Sequence, residues 1–190
     1  MRIIGGTYKG KKLFSPEGDQ TRPMAVRIKE TIFNKLAHAF TKQDGTPNIR
    51  NATLIDAFGG TGALALEALS RGARHATLIE LSKESHQIIR QNIQAMGLQS
   101  QTTLVKGDAT QPPKALTSVD LAFVAPPYRK NLVKPTLIAL DNQGWLNHDT
   151  LIVIEIATSE QLDIPTGYDI LFEKAYRTAH IFYLRKRGAQ

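Results

Sequence analysis

A chain of 190 residues with 42% hydrophobic and 22% charged residues can bury the core of one domain, with room for a small appendage. It has no cysteine, so disulfides, thiolate nucleophiles and Cys-based zinc sites are excluded; its five histidines show no i, i+4 pairing. No apolar run approaches the ~20 residues of a membrane span, and the start lacks the apolar core of a signal peptide, which makes a cytoplasmic, metal-free protein the simplest expectation.

The net charge of +7 is unevenly spread. Residues 1–50 hold 10 Lys and Arg against 4 Asp and Glu, whereas residues 51–190 hold 14 against 13. Such asymmetry points to a polyanionic partner for the first quarter of the chain. There, residues 2–14 ("RIIGGTYKGKKLF") alternate weakly around Gly5, Gly6 and Gly10, which suits a short twisted hairpin. After the loop "SPEGDQ", the segment 21–40 repeats Met24, Ile28, Ile32 and Leu36 every four residues, and Phe33, Ala37 and Phe40 widen the stripe. Thr21 suits the cap of that helix and Pro23 its first turn. The polar "TKQDGTPNIRN" marks the boundary between a basic hairpin-and-helix extension, 1–50, and a main domain, 51–190.

From residue 52 the pattern becomes an alternation of apolar runs and helices. "ATLIDAF", "HATLIEL", "TTLVKGD", "VDLAFVA" and "LIVIEIA" (151–157) are short buried strands. Helices run through "ALALEALSRGA" and "KESHQIIRQNIQAMG", and a third is expected within 130–143, where Pro135 interrupts the register. "YDILFEKAYR" and "HIFYLRK" are close enough to pair as a hairpin. The sum is an α/β fold with a mostly parallel sheet covered on both faces.

"DAFGGTGALALEAL" is a strand, a glycine-rich turn and a helix in succession. Open parallel sheets bind ligands at the C-terminal strand edge. Gly60 and Gly62 let the backbone approach a ligand, and the helix N-terminus presents free N–H groups. Gly60-Thr-Gly-Ala-Leu-Ala65 also satisfies the dinucleotide pattern GxGxx(G/A), with Glu80 twenty residues on to accept ribose hydroxyls. Asp56 separates the two readings. Its charge would repel a pyrophosphate but attract the ammonium of S-adenosylmethionine (SAM), directly or through a backbone amide. Asp108, in "VKGDA", could accept from an adenine amine. Amino acid, ribose and base are thus matched by three acids at three successive strand ends.

"FVAPPYRK" follows the fourth strand. Its two prolines, Pro126 and Pro127, fix an extended turn and leave the Pro126 carbonyl free to face a cleft. Tyr128 can stack on a flat base. Methylating an exocyclic amine requires its N–H groups to be held while the nitrogen lone pair turns to the methyl group. A second acceptor is needed at the residue before the prolines, and that residue is Ala125.

These blocks together resemble the RsmD family of SAM-dependent methyltransferases, which modify a guanine N2 in small-subunit (16S) ribosomal RNA. "MRIIGGTYKGKKL", "TRP", "RIKETIFNKL", "DAFGGTGALALEALSRGA", "IELSKESHQIIRQNI", "GDA" and "PPY" carry the likeness over nearly the full length. The resemblance implies a Rossmann-like class I methyltransferase fold with a seven-stranded sheet whose last strand is antiparallel. It places Asp56, Gly60 and Gly62 in the SAM loop, Glu80 on the ribose and Asp108 on the adenine. Phe58, Leu81 and Ala109 join them as neighbours in that cofactor set, and Ala125, Pro126, Pro127 and Tyr128 form the catalytic loop.

The family pattern is Asp-Pro-Pro-Tyr, so Ala125 departs at the catalytic acid. No side chain nearby in sequence is an obvious substitute: Asp120 lies near the opposite end of the strand, and Arg129 and Lys130 only donate. Without a replacement, the rate should fall by ~10²–10⁴ while SAM binding survives. Arg2, Lys9, Lys11, Lys12, Arg22 and Arg27 are candidate phosphate contacts. Arg22 is alternatively near the SAM carboxylate. Tyr8 suits either stacking on an unpaired base or packing on the core. The partner expected is small-subunit rRNA or an assembling subunit, met by a monomer. Two other functions compete: a SAM- and rRNA-binding assembly factor of impaired activity, and an NAD-dependent oxidoreductase.

Overall fold

In the one seven-stranded sheet the central strands are short apolar runs covered on both faces, whereas the edge strands 102–106 and 168–175 are largely open. The computed structural model describes residues 1–16, 23–41 and 47–188. In chain order the main elements are α1 (Pro23–His38), β1 (Thr53–Asp56), α2 (Ala63–Ser70), β2 (His75–Glu80), α3 (Lys83–Met96) and β3 (Thr102–Lys106). They continue through β4 (Leu121–Val124), α4 (Val133–Asn142), β5 (Leu151–Ala157), β6 (Tyr168–Ala175) and β7 (Ala179–Lys186).

The strand order is β3-β2-β1-β4-β5-β7-β6. β7 is antiparallel to both β5 and β6, and the other pairs are parallel. This is the class I methyltransferase sheet that the resemblance implies. The order reverses between β1 and β4, which opens a crevice at their C-terminal ends.

Side chains alternate between the two faces of the sheet. Leu151 and Val153 of β5 join Leu54, Leu121 and Phe123 in a core beneath α1, α2 and α3. Ile152, Ile154 and Ile156 join Ile55, Val124 and Trp145 in a second core beneath α4. Ile3 and Leu13, and Ile28, Ile32, Phe33 and Leu36 of α1, belong to the first core. The basic N-terminal segment therefore packs on the main sheet.

The expected hairpin in residues 2–14 is present and short: Arg2 pairs antiparallel with Lys12, and the Ile3, Gly10 and Leu13 N–H groups donate to the Lys11, Ile3 and Met1 carbonyls at 2.9, 2.9 and 3.0 Å. The hairpin is fastened to α2. Glu67, fully buried, accepts from the Ile4 N–H at 2.8 Å and pairs with Lys29 Nζ at 3.2 Å and Arg71 Nε at 2.8 Å. The Ser70 carbonyl accepts from the Thr7 N–H at 2.8 Å. Gly6 sits against it with φ of 73°, where a Cβ would lie 1.7 Å from the Ser70 oxygen, so only glycine fits.

Thr21, the expected cap of α1, lies outside the described residues. Pro135 does not interrupt α4 as its sequence position suggests. It falls in the first turn, where the N–H has no intrahelical partner to lose. Among the described residues no helix is long and apolar enough to cross a membrane, and no cluster of three or more His, Asp or Glu could hold a metal.

Candidate active site

The C-terminal ends of β1, β2, β3 and β4 border a cleft of about 580 Å³. Phe58, Gly60, Glu80, Leu81, Asp108 and Ala109 line it on one side, and Ala125, Pro126, Pro127 and Tyr128 on the other. Residues from four separate stretches of sequence thus meet around one volume. Asp56 and Gly62 lie behind that lining.

The glycine-rich turn is held from β2. Glu80 Oε2 accepts from the Gly60 N–H at 2.8 Å, and Oε1 accepts from the Ser82 N–H at 2.7 Å. Each oxygen keeps a further lone pair for a ligand. Gly60 and Gly62 have φ of 56° and 79°, the left-handed region that favours glycine. Gly62 precedes α2 with no side-chain cap of its own, and of the helix's first N–H groups that of Ala65 faces the Asp56 carboxylate. The turn is also tied from α3. Fully buried Asn92 donates to the Thr61 carbonyl at 2.9 Å and exchanges two bonds with the Phe14 backbone, at 2.7 and 3.0 Å.

Asp56 is 1% exposed, so direct contact with a ligand in the cleft gives way to action through the turn's backbone. Its Oδ1 has no partner among the described residues. Burial pushes its carboxyl up to about 7, against the Phe58 and Ala65 N–H groups, which act in the opposite sense. Asp108 Oδ1 accepts from the Thr110 N–H and hydroxyl, both at 2.8 Å, which fixes the carboxylate at the end of β3.

The loop after β4 is held from β5 and the turn beyond it. Glu160 Oε1 accepts from the Arg129 N–H at 2.6 Å, and Oε2 from the Ala157 N–H at 2.9 Å. Arg129 has a positive φ, at 62°, a strained conformation that this bond sustains, and Asn131, at 52°, is a residue type that tolerates the same region. The Tyr128 hydroxyl donates to Glu155 Oε1 at 2.8 Å. Asp120 is excluded as a surrogate acid. It accepts from the Thr53 N–H at 2.7 Å and the Thr53 hydroxyl at 2.9 Å at the N-terminal end of the sheet.

Arg2, Lys9, Lys11, Lys12 and Arg27 are exposed, and Arg22 lies outside the described residues. Tyr8 packs partly buried on the first core, the second of the roles its sequence allows. Sequence reasoning missed Glu67, Asn92, Glu155 and Glu160. The first two are polar residues on otherwise apolar helix faces, a signal present but ambiguous. The last two act across strands, which no local spacing displays.

A family model described as "Conserved hypothetical protein 95" matches residues 1–185. Ribosomal RNA small subunit methyltransferase D of Escherichia coli (strain K12) is 34% identical over 188 residues, covering 98% of this chain and 90% of that protein. Its namesake from Haemophilus influenzae is 32% identical over 178 residues, covering 92% and 88%. The solved structure of yhhF from Escherichia coli superposes with a TM-score of 0.82 at 33% identity, covering 98% of each chain.

Proposed function

The chain belongs to the RsmD family, and from that premise we propose that it is a SAM-dependent methyltransferase acting on the N2 amine of a guanine in small-subunit (16S) rRNA. One observation carries the reading. Three acids and a glycine-rich turn stand at successive strand ends, and the Pro-Pro-Tyr loop borders the same cleft.

The donor set suits SAM. Glu80 would hold the ribose hydroxyls with the lone pairs left after it binds Gly60 and Ser82. Asp108 would take the adenine amine, with Phe58, Leu81 and Ala109 as apolar neighbours. The Ala63 and Leu64 N–H groups that open α2 suit the carboxylate end. Asp56, buried behind the turn, acts on that end of the cleft through the Phe58 and Ala65 N–H groups that face it. When bound, SAM supplies a methyl group on a cationic sulfur.

On the acceptor side, the Pro126 carbonyl takes one N–H of the amine, and the Tyr128 ring, 43% exposed, offers a face for the base. A guanine amine is confined within a helix, so the target base is flipped or unpaired. The exposed cations Arg2, Lys9, Lys11, Lys12 and Arg27 hold the flanking phosphates. The protein works as a monomer on rRNA or an assembling subunit, in the cytoplasm.

Ala125 favours a second reading, a SAM- and rRNA-binding assembly factor of impaired activity. The NAD-dependent alternative lacks a hydride-transfer partner. Thermal shifts with SAM and with NAD test the cofactor: we expect SAM alone to raise Tm. Stabilisation by NAD alone would sink the methyltransferase reading.

A further inference from the structure

We propose that Glu155 is the acidic group of this active site: its carboxylate accepts the hydrogen bond from the substrate amine that Ala125 cannot. The proposal rests on the methyltransferase reading above and names the residue that completes that site.

Strand register carries the argument. β4 and β5 run parallel, with Val124 paired to Ile154. The next step along both strands brings Ala125 beside Glu155. Paired residues in a sheet point to the same face. Glu155 follows the alternation of Leu151 and Val153, and Ala125 that of Leu121 and Phe123, all on the face covered by α1 and α2. An aspartate at 125 and a glutamate at 155 would therefore rise from the same face of neighbouring strands ~4.8 Å apart, Ala125 lining the cleft and Glu155 a second cavity. Glutamate's extra methylene adds reach.

The surroundings of Glu155 suit an acceptor more than a structural ion. It interrupts the apolar run "LIVIEIA" and has no ion pair among the described residues. Its bond from the Tyr128 hydroxyl ties it to the loop that borders the cleft. Glu155 itself lines a second cavity, of about 140 Å³, with Met1, Ile28 and Lys29 and with Ala63 and Leu64 at the start of α2. A half-buried carboxylate with one hydrogen bond and no ion pair is costly unless it has work to do. Burial raises its pKa, while the Tyr128 hydroxyl acts in the opposite sense. Lys29 and the amino-terminal Met1 line the same cavity, and β7 presents Ile181 as its register partner.

In the reaction, the amine nitrogen gives its lone pair to the methyl carbon as the carbon–sulfur pair leaves on sulfur. The surplus proton on nitrogen passes to the Glu155 carboxylate and then to water. Oε1 stays with Tyr128, and Oε2 faces the amine.

Glu155→Gln, Tyr128→Phe and Glu155→Gln with Ala125→Asp test this against a merely supporting role. Glutamine still accepts from the Tyr128 hydroxyl, so a residue that only steadied Tyr128 would tolerate it. We expect Glu155→Gln to lower kcat by ~10²-fold or more and to abolish the acid limb of the pH–rate profile. Its affinity for SAM, measured by calorimetry, stays within about twofold, since an accepting oxygen remains and the SAM-side residues are untouched. Tyr128→Phe loses less than about tenfold and keeps that limb, and Ala125→Asp restores most of the rate to Glu155→Gln.

Glu155→Gln with wild-type rate, or losses in Glu155→Gln and Tyr128→Phe that match with an unchanged profile, would overturn the proposal. An inert wild type beside an active Ala125→Asp would overturn it too, while leaving the methyltransferase reading intact. Absence of SAM binding in the wild type would remove that reading as well.

Discussion

Asp56 and Glu80 are both acids beside one glycine-rich turn, yet their environments set them apart. Glu80 has two backbone donors; Asp56 is buried with an unpartnered oxygen. Glu80→Ala removes the bonds that shape the turn as well as the expected ribose acceptor. It should weaken SAM binding by ~10-fold or more, as charge-assisted hydrogen bonds are worth about 1.5–3 kcal/mol, which calorimetry can check.

Asp56, raised to about 7, is favoured by the fold in its neutral form. Its contribution to stability is full below the ordinary carboxylate range and is lost as pH rises through about 7. Asp56→Asn should flatten the decline in Tm between about pH 5 and pH 8, because the amide has no proton to lose there. An identical decline in both proteins would show that other groups set it. Gly60, Glu80 and Asp108 are legible in the sequence because local spacing after each strand displays them. Glu155 is hidden inside "LIVIEIA", where only the pairing of β5 with β4 reveals its neighbour.

At the scale of elements, the alternation after residue 52 is readable because buried parallel strands are apolar runs and helices carry their own period. The N-terminal hairpin is legible too, whereas its fastening to α2 is not, since those bonds join residues more than sixty positions apart. Gly6→Ala should detach it. The added Cβ meets the Ser70 carbonyl, and the left-handed φ strains any other residue. Gly10→Ala is the matched control: its φ is also positive, at 88°, but its Cβ would meet open space. In urea unfolding, we expect Gly10→Ala to cost about 1 kcal/mol and Gly6→Ala at least twice that. Glu67→Ala should cost ~3–5 kcal/mol, because it leaves Lys29 buried without its counter-charge. Loss of less than 1 kcal/mol, roughly a surface value, would mean the Lys29–Glu67–Arg71 cluster does not hold the segment.

Over the whole molecule, a positive first quarter is stapled to a near-neutral sheet whose cleft opens at the strand ends. Combined Lys9→Ala, Lys11→Ala and Lys12→Ala should weaken rRNA binding across sequences and reduce its salt slope by up to about 2, with SAM affinity unchanged. An unaltered slope would place the RNA elsewhere.

Radiolabelled methyl transfer from SAM to unmethylated small ribosomal subunits, followed by nucleoside analysis, tests directly whether the cleft methylates a guanine amine. We expect label in N2-methylguanosine of the small-subunit rRNA with the wild-type chain. Label on another atom, or no label from either the wild type or Ala125→Asp, would contradict it.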